Sequence, residues 1–223
     1  MTQIPDNRLR LVFPELPYFE INANNSALLI VDMQYLDAHP DYGMGIKLRE
    51  AGLHDSFDYY WDAVAKAVQQ QQKLLSAARN CGMNVIYTRI ATLTSDARDV
   101  GRQHQNVNIV VSKDSKDAEI LAEIAPEDND IILSKTSSSP FNSSHINQLL
   151  HNLGIDTLLV CGVVTNGCVE GSVRDASDLG YKVIMVPDAC AAVTAELHQS
   201  AMTNLDNAFC NCRTTDTIIE EIS

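Results

Sequence analysis

The apolar positions of the chain fall into two interleaved patterns. Short continuous runs, chiefly Ala27-Leu28-Leu29-Ile30-Val31 and Thr157-Leu158-Leu159-Val160-Cys161-Gly162, have the length and the lack of alternation expected of strands buried on both faces. Between such runs, apolar residues recur at helical spacing. Val64, Ala67, Val68, Leu74, Leu75 and Ala78 precede Gly82, while Ile146, Leu149, Leu150 and Leu153 precede Gly154. Val169, Val173, Ala176 and Leu179 precede Gly180 in the same way, each glycine standing where a helix stops. Strands are predicted at 27–32, 84–89, 130–135, 157–162 and 182–188, followed by a helix over 195–208 and a short strand near 209–213.

Strands alternating with helices imply a parallel sheet with right-handed crossovers and helices on both faces, an α/β chain folded as a three-layer α/β/α sandwich. With 223 residues, 45% of them hydrophobic, the chain suits one large domain, here residues 26–223. Residues 1–25 have little periodicity and read as an arm that packs on a neighbouring subunit. The glutamine run at 69–72 reads as the exposed face of a helix. Segments 35–58 and 90–112 have no readable pattern, and the second is long and polar enough to cover a site.

Charge narrows the partners. Sixteen Lys and Arg against 29 Asp and Glu give a net charge of −13, a field that repels phosphate backbones and anionic lipid, so neither nucleic acid nor a membrane is expected to bind. No apolar run approaches the roughly 20 residues of a spanning helix, and MTQIPDNRLR lacks the apolar stretch of a secretory signal, which points to the cytoplasm. Cysteines 81, 161, 168, 190, 210 and 212 form no CxxC pair and read as free thiols in a reducing compartment. Histidines 39, 54, 104, 145, 151 and 198 show no ligand spacing, so no metal and no cofactor is expected.

Ligands of open parallel sheets bind beyond the carboxyl ends of the strands. Asp32 ends the first strand and Lys135 the third. Cys168 opens the helix behind the fourth, in the stretch GVVTNGCVE. A helix N-terminus and an adjacent ammonium both favour a thiolate, so Cys168 reads as a nucleophile and Asp32 as the group that takes its proton and returns it to a departing amine. Lys135 between them eases the approach of two anions. The tight turn Thr165-Asn166-Gly167-Cys168 aims backbone N–H groups at one point, as an oxyanion hole requires. Gln34, Arg89, Gln105, Asn166 and Ser137 are the polar candidates for holding a small substrate, with Tyr35 and Phe141 as walls. Arg89 is the candidate clamp for a carboxylate or polarised carbonyl. No GxGxxG or GxxxxGK[ST] follows the first strand, which argues against nucleotide binding.

The blocks ALLIVDMQ, ILSKTSSSPF and LLVCGVVTNGCVEGSVRDASDLGYKVIMVPDACAA, in that order, resemble the isochorismatase-like cysteine hydrolases over residues 25–215. The resemblance implies a six-stranded, mostly parallel sheet and an Asp32-Lys135-Cys168 triad. It also implies a cis peptide at Val163–Val164, with the N–H groups of Val164 and Cys168 as oxyanion donors. Thr165, in the turn before Cys168, is a further candidate for holding the substrate. Isochorismatases that cleave a vinyl ether usually lack the thiol, and nicotinamidases carry metal-binding histidines that YTRIATLTSDARD does not have. What remains resembles the ureide and carbamoyl amide hydrolases: a cysteine amidohydrolase working through a thioester, assembled as a homodimer or homotetramer. The alternatives are a nicotinamidase-like or isochorismatase-type hydrolase, or a catalytically idle domain that only binds a small ligand.

Overall fold

A computed structural model of the chain describes Val12 and residues 14–222. Six strands form one sheet: β1 Ser26–Val31, β2 Asn84–Ile90, β3 Ile131–Lys135, β4 Thr157–Val163, β5 Lys182–Ala191 and β6 Asn211–Cys212. Their order is β3-β2-β1-β4-β5-β6 and every neighbouring pair is parallel. The two longest apolar runs therefore lie side by side at the centre, where every residue of β1 and β4 is buried. Gly162 permits their closest approach: its φ is +127°, and a Cβ there would sit 2.0 Å from the Val31 carbonyl oxygen.

The helices are α1 Tyr35–Ala38, α2 Gly43–Glu50, α3 Asp58–Asn80, α4 Arg102–Asn106, α5 Ile146–Asn152, α6 Glu170–Asp178, α7 Ala195–Leu205 and α8 Thr215–Ile222. The three crossover helices, α3, α5 and α6, stand where the periodic apolar positions predict them. Two short helices in 35–58 and one in 90–112 occupy segments without a readable pattern. Helix α8 has no predicted counterpart. Its N-terminus is held by a distant group, the Asp188 carboxylate, which accepts the Thr215 N–H at 3.0 and 3.1 Å. None of the helices among the described residues is long and apolar enough to cross a membrane.

Several expectations need correction. β5 does not end at Asp188 but runs to Ala191. Its register on β4 jumps between Met185 and Cys190, and this irregularity absorbs Pro187, which has no N–H to give a ladder. The last long helix stops at Leu205, because Asp206 is extended and Asn207 adopts φ +57°. The glutamine run is not wholly exposed: Gln71 is buried, and its Nε2 donates to the Ala189 carbonyl at 2.8 Å, where β5 is irregular. Apart from these corrections, the described part of the arm makes contacts within its own chain. Phe19 N donates to Asn211 Oδ1 at 2.9 Å, Arg213 Nη2 donates to the Phe19 carbonyl at 2.6 Å, and the Arg213 guanidinium lies 3.7 Å from the centre of the Tyr18 ring. Residues 1–11 and Phe13 lie outside the described residues.

Candidate active site

The carboxyl ends of β1, β3 and β4 bring three reactive side chains together. Asp32 leaves β1 with φ +53°, a left-handed conformation that aspartate tolerates better than most residues. Its N–H still donates to Thr88 O of β2 at 3.0 Å, so the turn stays seated on the sheet. Lys135, the last residue of β3, is completely buried. Its Nζ lies 2.8 Å from Asp32 Oδ2, 2.9 Å from the Ser137 carbonyl and 3.5 Å from Cys168 Sγ, so the ammonium's three protons have three partners. Cys168 follows a cis peptide bond at Val163–Val164 and a turn over Thr165–Val169, broken at Gly167 (φ −128°, ψ −105°). Gly167 N and Val169 N both donate to Val164 O, at 2.9 and 3.4 Å, which folds Val164 and Cys168 into one loop of backbone.

The electrostatics differ from the thiolate expected of this sequence. Burial, and after it the charge of Asp32, push the Cys168 thiol well above its ordinary value, with Lys135 pulling the other way. The resting sulfur is protonated. Burial likewise raises the Asp32 carboxyl, opposed by Lys135 and by hydrogen bonding to Cys168 and Thr88. For Lys135, burial works against the ammonium but Asp32 and Cys168 together outweigh it, and the ammonium is kept. The arrangement is a neutral thiol beside a proton acceptor, with a fixed positive charge between them.

Other residues singled out by sequence meet different fates. Gln34 is wholly consumed by backbone: Nε2 donates to Ile90 O and Asp117 O at 3.0 and 2.8 Å, and Oε1 accepts from Ile90 N at 2.5 Å. It straps β2 to the 116–121 loop and has no donor left for a substrate. Thr165 is also structural, completely buried with its hydroxyl 2.9 Å from His198 Nδ1 of α7. Arg89 is tied down as well, by Ala118 O at 3.1 Å and Ser134 Oγ at 3.2 Å. Ser137 contributes its carbonyl to Lys135, while its hydroxyl bonds to Ser139 O and Ser143 Oγ at 2.7 and 2.8 Å. The Phe141 ring packs on Tyr181, centres 5.9 Å apart. Tyr35 joins an aromatic group with His39 and Tyr42. Gln105 is exposed on α4 and Asn166 is exposed on the turn before Cys168.

The surroundings of the thiol come largely from segments without a sequence pattern. Leu36, Ile90, Ala91, Val111 and Ala118 form a small apolar cluster of their own, with Ile109 and Cys168 against it. Asp37 on α1 lies within electrostatic reach of Asp32, Lys135 and Cys168. Buried Tyr60 donates to the Asp37 carbonyl at 2.8 Å. His104 of α4 is buried near Lys135. Burial, then the lysine's charge, hold its imidazole below the usual histidine range, so it is neutral. Among the described residues no three His, Cys, Asp or Glu side chains are grouped to hold a metal ion.

An all-parallel sheet flanked by helices, with a cysteine, a lysine and an aspartate gathered at one rim, sets the chain among the α/β enzymes. Residues 26–217 match the isochorismatase domain, and the chain belongs to the isochorismatase family of hydrolases. It is 29% identical over 154 residues to maleamate amidohydrolase of Pseudomonas putida, covering 67% of this chain and 71% of that one. It is 25% identical to ureidoacrylate amidohydrolase RutB of Acinetobacter baylyi, covering 90% and 84%. A crystal structure of a cysteine hydrolase from Pseudomonas syringae pv. phaseolicola superposes with a TM-score of 0.79 at 30% identity, covering 95% of this chain and 98% of that one.

Proposed function

We propose that the protein is a metal-independent amidohydrolase that cleaves a C–N bond of a small ureide or carbamoyl amide through a thioester on Cys168. The observation that carries this reading is the placement of Lys135 Nζ between Asp32 Oδ2 and Cys168 Sγ, at 2.8 and 3.5 Å. Asp32 takes the thiol proton as sulfur attacks the carbonyl carbon. A free thiolate is then never needed, in keeping with a thiol whose pKa is raised rather than lowered. The N–H groups of Val164 and Cys168 receive the developing oxyanion. Asp32 returns the proton to the leaving nitrogen, ammonia or an amine departs, and a thioester remains. Water, deprotonated by Asp32, attacks the thioester, and the proton passes back to sulfur as the acid leaves. Lys135 keeps Asp32 oriented throughout and limits the repulsion between carboxylate and sulfur.

The test is ammonia release across ureides, carbamoyl compounds and nicotinamide, with and without chelator. Turnover of a ureide or carbamoyl amide is expected to be indifferent to chelator and to fall by at least ~10³-fold in Cys168→Ala, with unchanged thermal unfolding. Undiminished hydrolysis by that variant would refute the mechanism.

A further inference from the structure

Two cysteines and a methionine meet at the β6 edge of the sheet, on elements that carry none of Asp32, Lys135 and Cys168. Helix α7 stops at Leu205 and the chain turns back at once. Phe209 N and Cys210 N both donate to the Leu205 carbonyl, at 2.9 and 3.2 Å, and Asn207 N donates to the Cys210 carbonyl at 2.7 Å. Asp206 and Cys210 pair across this loop, and the Asp206 carboxylate accepts the Cys212 N–H at 3.0 Å. The backbone at both cysteines is thus fixed in advance of any ligand. Cys210 and Cys212 stand two apart in extended chain, so their side chains turn to one face. Asn211 and Arg213 turn to the other, where they hold Phe19.

Met202, in the last turn of α7, meets the face of the cysteines. Cys210 Sγ lies 3.9 Å from Cys212 Sγ, which in turn lies 3.9 Å from Met202 Sδ. Cys210 is completely buried, while Cys212 and Met202 are half-buried, which leaves an approach from solvent. Both cysteines are free thiols. With metal–sulfur bonds of about 2.3 Å, sulfurs 3.9 Å apart subtend roughly 115–120° at a bridging ion, the angle of trigonal coordination.

We propose that Met202, Cys210 and Cys212 form a binding site for a soft monovalent metal ion, Cu(I). Two thiolates and a thioether are soft ligands, the kind that select Cu(I). Zinc is disfavoured, since it takes four ligands and no three His, Cys, Asp or Glu side chains are grouped for it among the described residues. Binding forms two copper–thiolate bonds and one copper–thioether bond. The two thiol protons leave to solvent, and copper keeps its oxidation state. The ion takes no part in the hydrolysis proposed above, so the two readings stand or fall separately.

The test is anaerobic titration of the reduced full chain with Cu(I) in competition with bicinchoninate, a coloured Cu(I) chelator, followed by X-ray absorption on the loaded protein. One Cu(I) per chain is expected to be drawn from the chelator, with three sulfurs at about 2.3 Å. Cys168→Ala should bind like the wild type. Cys212→Ser should lose at least ~100-fold in affinity, and Met202→Leu about 10-fold together with one sulfur neighbour. Cu(I) should raise the thermal midpoint of the wild type and leave that of Cys212→Ser where it was, a comparison made within each variant and so independent of what serine costs the fold. Failure to draw copper from the chelator overturns the proposal. So do binding lost in Cys168→Ala, binding undiminished in Cys212→Ser, and a sulfur count unchanged in Met202→Leu.

Discussion

Two lysine–carboxylate pairs stand at opposite ends of the same sheet. At the amino ends of β4 and β5, Lys182 meets Asp156 at 3.0 Å with both side chains about half exposed. At the carboxyl ends, Lys135 meets Asp32 at 2.8 Å with both completely buried. The contact distances are nearly equal, but the energetics are not. Water screens the first pair, which contributes about 0–1 kcal/mol. The second has given up its hydration, at several kcal/mol per ion, and recovers it through mutual attraction and the Ser137 carbonyl. A fold gains little stability from such an arrangement. What it gains is a charge fixed 3.5 Å from a thiol.

The largest effect is expected at the buried pair. Lys135→Met strands an unpaired carboxylate and should cost about 3–5 kcal/mol in denaturant unfolding, with hydrolysis lost. Adding Asp32→Asn removes the stranded charge, so the double variant should recover most of the stability and none of the activity. A double variant as unstable as the single one would place the cost elsewhere.

Asp37 tests whether the low-dielectric region extends past the pair. Its folded pKa, about 7, lies above the ordinary carboxylate value, so the native state holds this proton more tightly than the unfolded chain does. Stability is therefore lost as pH rises from about 4 to 7. Asp37→Asn should flatten that decline by on the order of 2 kcal/mol, allowing for the solvent that reaches the group, as read by unfolding midpoints at pH 5 and pH 8.

A smaller effect is expected where the turn that carries Cys168 meets α7. His198→Ala deprives the buried Thr165 hydroxyl of its partner and should cost about 1–2 kcal/mol, lowering kcat more than it raises KM. His198→Asn, which keeps a polar atom near the Nδ1 position, should restore most of the rate. At the far end of the sheet, Lys182→Ala should change stability by no more than about 0.5 kcal/mol. A cost comparable to that at Lys135 would erase the distinction between the two pairs.

What sequence reveals here depends on how local the cause is. The central strands are legible because a parallel strand covered on both faces must be apolar throughout, as β1 and β4 are. The triad is legible because each member sits at a strand end or at the turn behind one. Helix α8 is not, since its N-terminal partner, Asp188, lies 27 residues away. Polarity at the rim does not distinguish support from contact. Gln34 and Thr165 have the chemistry of substrate contacts, but backbone takes both donors of the Gln34 amide and the buried Thr165 hydroxyl bonds to His198. Asp37 and His104 carry no local mark, because neither a four-residue helix nor a polar loop has a periodicity that says which side chain turns inward.

Gly162 ties the central packing to the chemistry. The missing methyl group at this position lets Val31 approach, and the residue after Val31 is Asp32, the proposed proton acceptor, while the strand carrying Gly162 leads into the turn of Cys168. Even alanine here would wedge the two chains apart and change the span a proton must cross, so a defect in the middle of the sheet would be felt as slow chemistry at its rim.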